Sequence, residues 1–145
     1  MGTSLHTESE RAARLRLAIT RSARRLRQEA NADLSPSLTS ALASIETHGP
    51  VTPSELASCE RVQRPTITRV LTRLDELELI DRAADPADGR STLISVTPAG
   101  LALLHDLRTR RDAFLAARLG RLSAEERATL DRASELLERL LEDDP

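Results

Sequence analysis

The sequence predicts a mainly α-helical protein with a small antiparallel β wing. Apolar residues recur at three- and four-residue spacing over most of the 145-residue chain. The only aromatic residue is Phe114, so Leu, Ala, Ile and Val must build the core. Two short β-type segments, joined by the turn-forming stretch from Asp85 to Ser91, interrupt the helices once. The length fits one domain with an oligomerisation region.

Capping motifs mark where most helices begin. In the S/T-x-x-E capping box, side chains and backbone N–H groups satisfy one another, and a hydroxyl residue before proline is also typical of a helix start. The boxes are Thr7 with Glu10, Thr52 with Glu55 and Ser123 with Glu126, and the hydroxyl-proline pairs are Ser35-Pro36, Thr52-Pro53 and Thr97-Pro98. We therefore expect helices over about Thr7–Asn31, Ser35–Thr47, Pro53–Glu60, Pro65–Leu77, Pro98–Leu119 and Ala124–Leu141, and strands over Ile80–Ala84 and Thr92–Val96.

The charged residues are unevenly distributed along the chain. All 21 basic residues are arginine, and the net charge is only −2. No acidic residue interrupts the arginine clusters from Arg11 to Arg27 and from Arg61 to Arg73, whereas acidic residues concentrate toward the C-terminus. This asymmetry indicates one surface that faces a polyanion and another that is solvated. The exclusive use of arginine has an alternative explanation in genome composition.

The helix predicted over Pro65–Leu77 has two different faces. Its inward stripe consists of Ile67, Val70, Leu71, Leu74 and Leu77, and its outer face of Pro65, Thr66, Thr68, Arg69, Thr72 and Arg73. Arginine pairs bidentately with guanine, while threonine offers a methyl group to thymine and a hydroxyl to phosphate. Such a face favours entry into a DNA major groove, although many charged helix faces are simply solvated.

The predicted hairpin has a charged tip. Asp85, Asp88 and Gly89 supply turn chemistry, and Arg90 is the one cation at the tip, with Asp88 close enough in sequence to orient it. The negative potential of a narrow minor groove attracts an arginine presented in this way. An ordinary Asp-Gly turn is the alternative, but the hairpin directly follows the basic helix, which favours a role with DNA.

The segments TPSELA, RPTITRVLTRLDELELIDR and DPADGRSTLISVTPAG span Val51 to Gly100 and resemble the MarR family of winged helix-turn-helix regulators. The resemblance implies an N-terminal dimerisation helix within residues 1–34, a winged helix-turn-helix DNA-binding domain over 35–97 and C-terminal dimerisation helices within 98–145. The resemblance implies Arg64, Thr66, Thr68 and Arg69 at the groove, with Asp88 supporting Arg90. The outer face of the helix adds Pro65 and Arg73 to the candidate DNA-binding residues. The chain departs from the family pattern at Arg61 and Glu78, where members often have glycine.

The terminal helices have more apolar residues than so small a central unit can cover. Packing within the chain accounts for part of them, and we expect the rest to pack against a second copy. The candidates are Leu15, Ile19, Phe114, Leu130, Leu137 and Leu140. The resemblance implies a homodimeric, ligand-responsive repressor that binds a pseudo-palindromic operator in double-stranded DNA. It also implies a small effector, often an aromatic acid, between the dimer base and the DNA-binding lobe.

Other functions are less favoured by the sequence. A winged-helix module that binds protein without specific DNA binding is the alternative, whereas G-x-S-x-G, H-E-x-x-H and phosphate-binding motifs of enzymes are lacking. His6, His48 and His105 lack partners at metal-ligand spacing, so we expect no metal or other cofactor. Cys59, the single cysteine, is expected to be a small buried residue rather than a redox sensor. Without an apolar span or a signal-peptide pattern, we expect a cytoplasmic protein and no membrane partner.

Overall fold

The structure of the chain, a computed structural model, describes residues 7–30 and 34–142. In this part of the chain six helices and a two-stranded antiparallel sheet follow one another as α1 (Glu8–Glu29), α2 (Pro36–His48), α3 (Pro53–Glu60), α4 (Arg64–Glu76), β1 (Ile80–Ala84), β2 (Thr92–Val96), α5 (Pro98–Leu119) and α6 (Ala124–Leu141). The predicted fold class, mainly α with a small antiparallel β wing, is confirmed. The predicted end of the first helix at Asn31 lies outside the described residues.

All three predicted capping boxes are present. The side chains of Thr7, Thr52 and Ser123 each accept a hydrogen bond from the backbone N–H of the glutamate three residues later, which accepts one in return. At the start of α6, Glu126 N lies 3.1 Å from Ser123 Oγ, and Ser123 N lies 2.8 Å from Glu126 Oε2. The boxes satisfy N–H groups that a helix cannot pair within itself, so these helices begin where the sequence predicts.

The hairpin is joined to the helices at its base. Strands β1 and β2 pair from Ile80 opposite Val96 to Ala84 opposite Thr92. One further antiparallel bridge, which the sequence does not predict, links Val51 to Ile94 through N–O distances of 3.0 and 2.8 Å. The segment between α2 and α3 is therefore hydrogen-bonded to β2, which fixes the wing relative to the helices.

We call α2, α3, α4 and the hairpin the lobe. Its core is made of aliphatic side chains from every one of these elements, including the fully buried Leu42, Ile45, Leu56, Ile67, Leu71, Leu74 and Ile94. Leu104 of α5 joins this core, so the first half of α5 is packed on the lobe. A Cβ at Gly100 would lie 2.5 Å from the Leu79 carbonyl oxygen, which shows how closely α5 approaches the chain entering β1.

Helices α1 and α6, which we call the arms, bury none of their own residues. Helix α1 packs along α5. Its Leu15 and Ile19 nevertheless remain 40% and 42% exposed, and Leu140 of α6 is 67% exposed. A single chain thus buries most of the apolar residues of its lobe but leaves those of its arms partly exposed.

Two burial predictions are wrong. Leu77 was placed on the inward stripe of α4 but is 38% exposed, because α4 ends at Glu76 and Leu77 is only its cap residue. Cys59 was expected to be buried but is exposed. The buried residues of α3 are Leu56 and Ala57, and a residue two positions after Ala57 does not share its side of the helix.

Candidate nucleic-acid interface

The turn before α4 depends on a left-handed residue. Arg61, the cap of α3, has φ 53° and ψ 44°, and the N–H of Val62 donates to the carbonyl of Ala57 at 3.0 Å. Glu78, with φ 58°, makes the corresponding turn after α4. Among the described residues these are the non-glycine positions with positive φ, and they are the two at which the family pattern often has glycine. The departure from that pattern changes the residue but not the backbone geometry.

Helix α4 separates its predicted groove-facing residues from the core. Ile67, Leu71 and Leu74 point into the lobe. Of the predicted DNA-binding residues on this helix, Arg64, Pro65, Thr68, Arg69 and Arg73 are exposed and Thr66 is half-buried. One side of α4 thus offers a basic, hydroxyl-containing surface while the other anchors it.

The arginines of α4 differ in their interactions. Arg64 Nη1 hydrogen-bonds to the Ser54 hydroxyl of α3, and Arg73 Nη1 lies 3.1 Å from Glu76 Oε2. Arg69 has no hydrogen-bond or ion-pair partner in the described part of the chain. Arg69 is therefore the cation of this helix most available to an external anion, and the charge of Arg73 is partly compensated.

The threonines of α4 also divide into two kinds. Thr68 donates its hydroxyl to the Arg64 carbonyl at 3.0 Å, and Thr72 donates to the Thr68 carbonyl at 2.8 Å. Their protons are used within the helix, which leaves the methyl groups and oxygen lone pairs for a ligand. The hydroxyl of Thr66 has no partner among the described residues, so it can donate to a phosphate.

The tip of the wing is shaped by two aspartates. Asp85 Oδ1 accepts the N–H of Ala87 at 2.9 Å, and Asp88 Oδ1 accepts the N–H of Arg90 at 3.1 Å. Asp88 Oδ2 also accepts the Ser91 hydroxyl at 3.4 Å. The sequence predicts that Asp88 orients Arg90, and in the structure it contacts the backbone of Arg90. The Arg90 guanidinium is exposed and unpaired within residues 7–30 and 34–142.

An ion pair that the sequence does not reveal joins the lobe to α5. Arg108 of α5 donates two hydrogen bonds to the Glu46 carboxylate of α2, at 3.2 and 2.5 Å. The hydrogen bond from Arg108 lowers the pKa of Glu46, and the same bond raises the pKa of Arg108. The partners are 62 residues apart, so no local pattern could have identified them.

The described residues form neither a metal-binding cluster nor a membrane-spanning helix. Within residues 7–30 and 34–142, no three His, Cys, Asp or Glu side chains come together in a way that could hold a metal ion. No described helix is both long and apolar enough to cross a membrane. The candidate functional site is the exposed, basic surface formed by α4 and the wing.

Comparison with known proteins assigns the family. The model of the MarR family matches residues 34–92. The HTH-type transcriptional regulator Mb0904 of Mycobacterium bovis is 37% identical over 142 residues, which cover 97% of this chain and 99% of the relative. The HTH-type transcriptional repressor NicR of Pseudomonas putida is 31% identical over 99 residues, covering 66% of this chain and 63% of NicR.

A solved structure extends the agreement to the whole fold. The crystal structure of a transcriptional regulator from Pseudomonas aeruginosa superposes with a TM-score of 0.86 at 36% identity, covering 96% of this chain and all of that one. The lobe, the wing and both arms thus follow one known architecture. The resemblance seen in the sequence is confirmed, and the chain belongs to the MarR family of winged helix-turn-helix, DNA-binding transcriptional regulators.

Proposed function

We propose that the protein is a repressor that binds a pseudo-palindromic operator as a homodimer, with α4 in the major groove and the wing in the minor groove. The observation that favours this most is the pair of exposed, unpartnered cations, Arg69 on α4 and Arg90 at the wing tip. They lie on the two elements that winged helices present to adjacent grooves. Leaving both cations without an intramolecular carboxylate keeps them available to phosphates and base edges.

Each groove-facing residue then has a distinct task. Arg69 reads base edges, since one bidentate arginine–guanine pair is worth about 1–3 kcal/mol of discrimination. Thr68 and Pro65 contribute apolar contact, Thr66 donates to phosphate, and Arg64 is oriented by its bond to Ser54. Arg73 must share its charge with Glu76 and contributes general attraction.

The wing adds attraction without base choice. Asp88 fixes the backbone of Arg90 and leaves its side chain to enter the minor groove, where the potential is most negative. Because this contact depends on charge and groove width, it affects many sequences alike.

The uncovered arms support dimerisation. Leu15, Ile19, Leu130 and Leu140 are exposed, whereas Leu137 and Phe114 are half-buried. Phe114 packs within the protomer, with the guanidinium carbons of Arg25 and Arg118 at 5.5 and 4.3 Å from its ring centre. Packing the arms of two copies together buries the exposed leucines and sets two α4 helices about 34–36 Å apart, one turn of DNA.

Repression and its relief complete the proposal. The repressor NicR of Pseudomonas putida matches two thirds of this chain, which supports the same sign of regulation here. A small effector, for which the family resemblance implies an acid, binds between arms and lobe. It lowers operator affinity if it binds one lobe spacing better than the other.

The test is binding to the DNA upstream of the protein's own gene against scrambled DNA of equal length, over a salt series. We expect a preference of roughly 10³ or more and a steep fall in affinity with salt. Equal binding to both DNAs overturns the specific operator, and no binding at low salt favours the protein-interaction alternative.

In the same binding assay, two variants test which arginine binds in which groove. Arg90→Ala should weaken binding to all sequences, whereas Arg69→Ala should mainly reduce the preference for the operator, by about 1–3 kcal/mol. Arg121→Ala, an exposed arginine between α5 and α6, is the matched control and should leave binding unchanged. An Arg90→Ala protein that binds a mapped operator as tightly as the parent at moderate salt makes the wing assignment wrong.

A further inference from the structure

A cavity lies where the arm α1 meets the lobe and α5. It consists of two adjoining compartments of about 490 and 430 Å³. Both are lined by Arg27 of α1, by Pro36 and Thr39 of α2, and by Arg111 of α5. The larger compartment adds Arg24 and Gln28 of α1 and Leu34, and the smaller adds Ala23, Leu26, Ser40 and Ala43. The cavity therefore touches all three helices that connect the arms to the DNA-binding lobe.

The arginines of this cavity lack the partners that their neighbours have. On α5, Arg108 is paired with Glu46, and Arg110 with Asp106 at 3.0 Å. In contrast, Arg24, Arg27 and Arg111 form no ion pair or hydrogen bond in the described part of the chain. None of the described residues lining either compartment is acidic. Three positive charges thus converge on one cavity without compensation from its lining.

One of these charges is also an unsatisfied buried donor. The Nε of Arg111 is buried and has no hydrogen-bond partner among residues 7–30 and 34–142. A buried donor left unpaired costs about 1–3 kcal/mol, and native proteins rarely leave such groups alone. Arg111 as a whole is half-buried and lines both compartments, so its charge is partly removed from water, which favours an anion in the cavity.

The start of α2 adds to the positive potential. Pro36 is the first residue of α2, and the first turn contains no acidic residue that would offset the helix dipole. Helix N-termini attract anions through their N–H groups and dipole. The Gln28 amide offers a further neutral donor in the same compartment, whereas Thr39 already donates its hydroxyl to the Ser35 carbonyl at 3.2 Å. Donors of several kinds therefore surround the larger compartment.

The smaller compartment is apolar but not aromatic. Ala23, Leu26, Pro36 and Ala43 give it aliphatic walls. The single aromatic residue, Phe114, is instead enclosed by Arg25 and Arg118 and lines neither compartment. The cavity can accept a small carbon body, but it offers no ring with which an aromatic ligand could stack.

We propose that this cavity binds a compact anion with at least two negative charges, a di- or tricarboxylate or a phosphomonoester, in preference to an aromatic monoacid. A single carboxylate, with two oxygens, leaves at least one of the three guanidinium groups without an anionic partner, whereas a dianion can pair with all of them. As the identity of the effector, this inference rests on the proposed function. As a binding property of the chain, it can be tested without DNA.

The test is calorimetric titration of the full-length protein at constant ionic strength, with phthalate and benzoate as matched probes. These anions share one ring and differ by one carboxylate, so their affinity ratio isolates the second charge. We expect phthalate to bind at least about tenfold more tightly, a difference of about 1.4 kcal/mol. Succinate and inorganic phosphate are titrated as further probes. The probe that binds more tightly identifies carboxylate or phosphate as the source of the charge.

Variants locate the binding. Arg27→Gln and Arg111→Gln should each weaken phthalate binding at least about tenfold, since each removes one charge-assisted pair. Arg27 is exposed, so its variant remains informative if Arg111→Gln fails to fold. Arg21→Gln, on the same helix but not in the lining, is the matched control and should bind as the parent does.

Three results overturn the inference: benzoate binding as tightly as phthalate, phthalate binding unchanged in both variants, or no binding of any dianion. None of them depends on operator binding, which is measured separately. A protein that binds phthalate in the cavity but shows no operator preference contradicts the proposed function and leaves the anion site standing.

Discussion

The lobe and the arms of this protein are stabilised in different ways. In the lobe, helices and hairpin enclose a core of side chains that are almost fully buried, such as Leu42 and Leu74. In the arms, helical periodicity is just as regular, yet no residue of α1 or α6 is buried. A regular apolar stripe therefore predicts that a helix will pack, but not whether its partner is in the same chain. The lobe core is complete within one chain, whereas the arms leave large apolar side chains exposed.

The largest expected effect is in the lobe core. Leu74→Ala removes a side chain with no exposed surface and leaves a cavity among packed helices. We expect a loss of about 2–5 kcal/mol in the free energy of unfolding, measured by urea denaturation. Leu77→Ala, at the exposed end of the same helix, is the control and should change stability by about 0.5 kcal/mol or less. Equal losses at both positions would mean that α4 is not anchored as the structure describes.

The second-largest expected effect is on dimerisation through the arms, with the stability of the lobe unchanged. Leu140→Glu places a charge on the apolar stripe of α6, where a partner would have to desolvate it. We expect the dimer dissociation constant to rise at least about tenfold, measured by light scattering over a dilution series. The urea midpoint of the lobe, measured on the monomer, should stay near that of the parent.

A control on the same turn makes this comparison specific. Arg139→Glu also introduces an acidic side chain, but it precedes Leu140 by one position and so points about 100° away from it. The dimer should tolerate that change. A Leu140→Glu protein of unchanged dimer mass would move the interface elsewhere, including toward Leu15 and Ile19 on α1.

Local sequence patterns predicted the elements well but not the contacts between distant segments. Capping boxes and proline positions located the helix starts because those signals are local and depend on backbone hydrogen bonding. The bridge from Val51 to Ile94 depends on tertiary packing, which has no local signature. The prediction that Cys59 is buried was wrong for a related reason. Which side of α3 is buried depends on the elements that pack against that helix, and these are distant in the sequence.

The same division applies to the candidate site. Spacing and turn chemistry alone predicted that α4 and the wing tip present Arg69 and Arg90. They did not predict which arginines are unpaired, because the partners of Arg64 and Arg73 depend on how side chains extend. The convergence of Arg24 and Arg27 with Arg111 was also hidden, since it brings together helices at opposite ends of the chain.

A smaller effect concerns the turns that complete the lobe. Arg61 and Glu78 adopt left-handed backbone angles that disfavour residues with a Cβ. We expect Arg61→Gly and Glu78→Gly each to stabilise the lobe by about 0.5–1 kcal/mol, by urea denaturation, after the added flexibility of the unfolded chain is counted. Ser58→Gly, within right-handed α3, should instead destabilise by about 1 kcal/mol. Destabilisation by all three substitutions would contradict the left-handed assignment.

The smallest effect lies at the junction of the lobe with α5, where Arg108 lowers the pKa of Glu46 below its ordinary value of 4.5. A carboxylate whose pKa is depressed by folding adds stability above its unfolded pKa and loses it as the pH falls through the folded pKa. The stability advantage of the parent over Glu46→Gln should therefore be constant near neutral pH and decline below about pH 4.5. Urea denaturation over a pH series measures it, and because both side chains are partly exposed, added salt should reduce it.

Repeating the comparison in an Arg108→Gln background identifies the source of that advantage. Without the guanidinium, replacing Glu46 by glutamine removes no ion pair, so the pH-dependent difference should vanish. If it vanishes while Leu74→Ala still destabilises fully, the lobe core and its link to α5 are energetically separate, and the link can adjust without loosening the core. A difference that persists without Arg108 would show that Glu46 acts through another group and that this ion pair does not join the two regions.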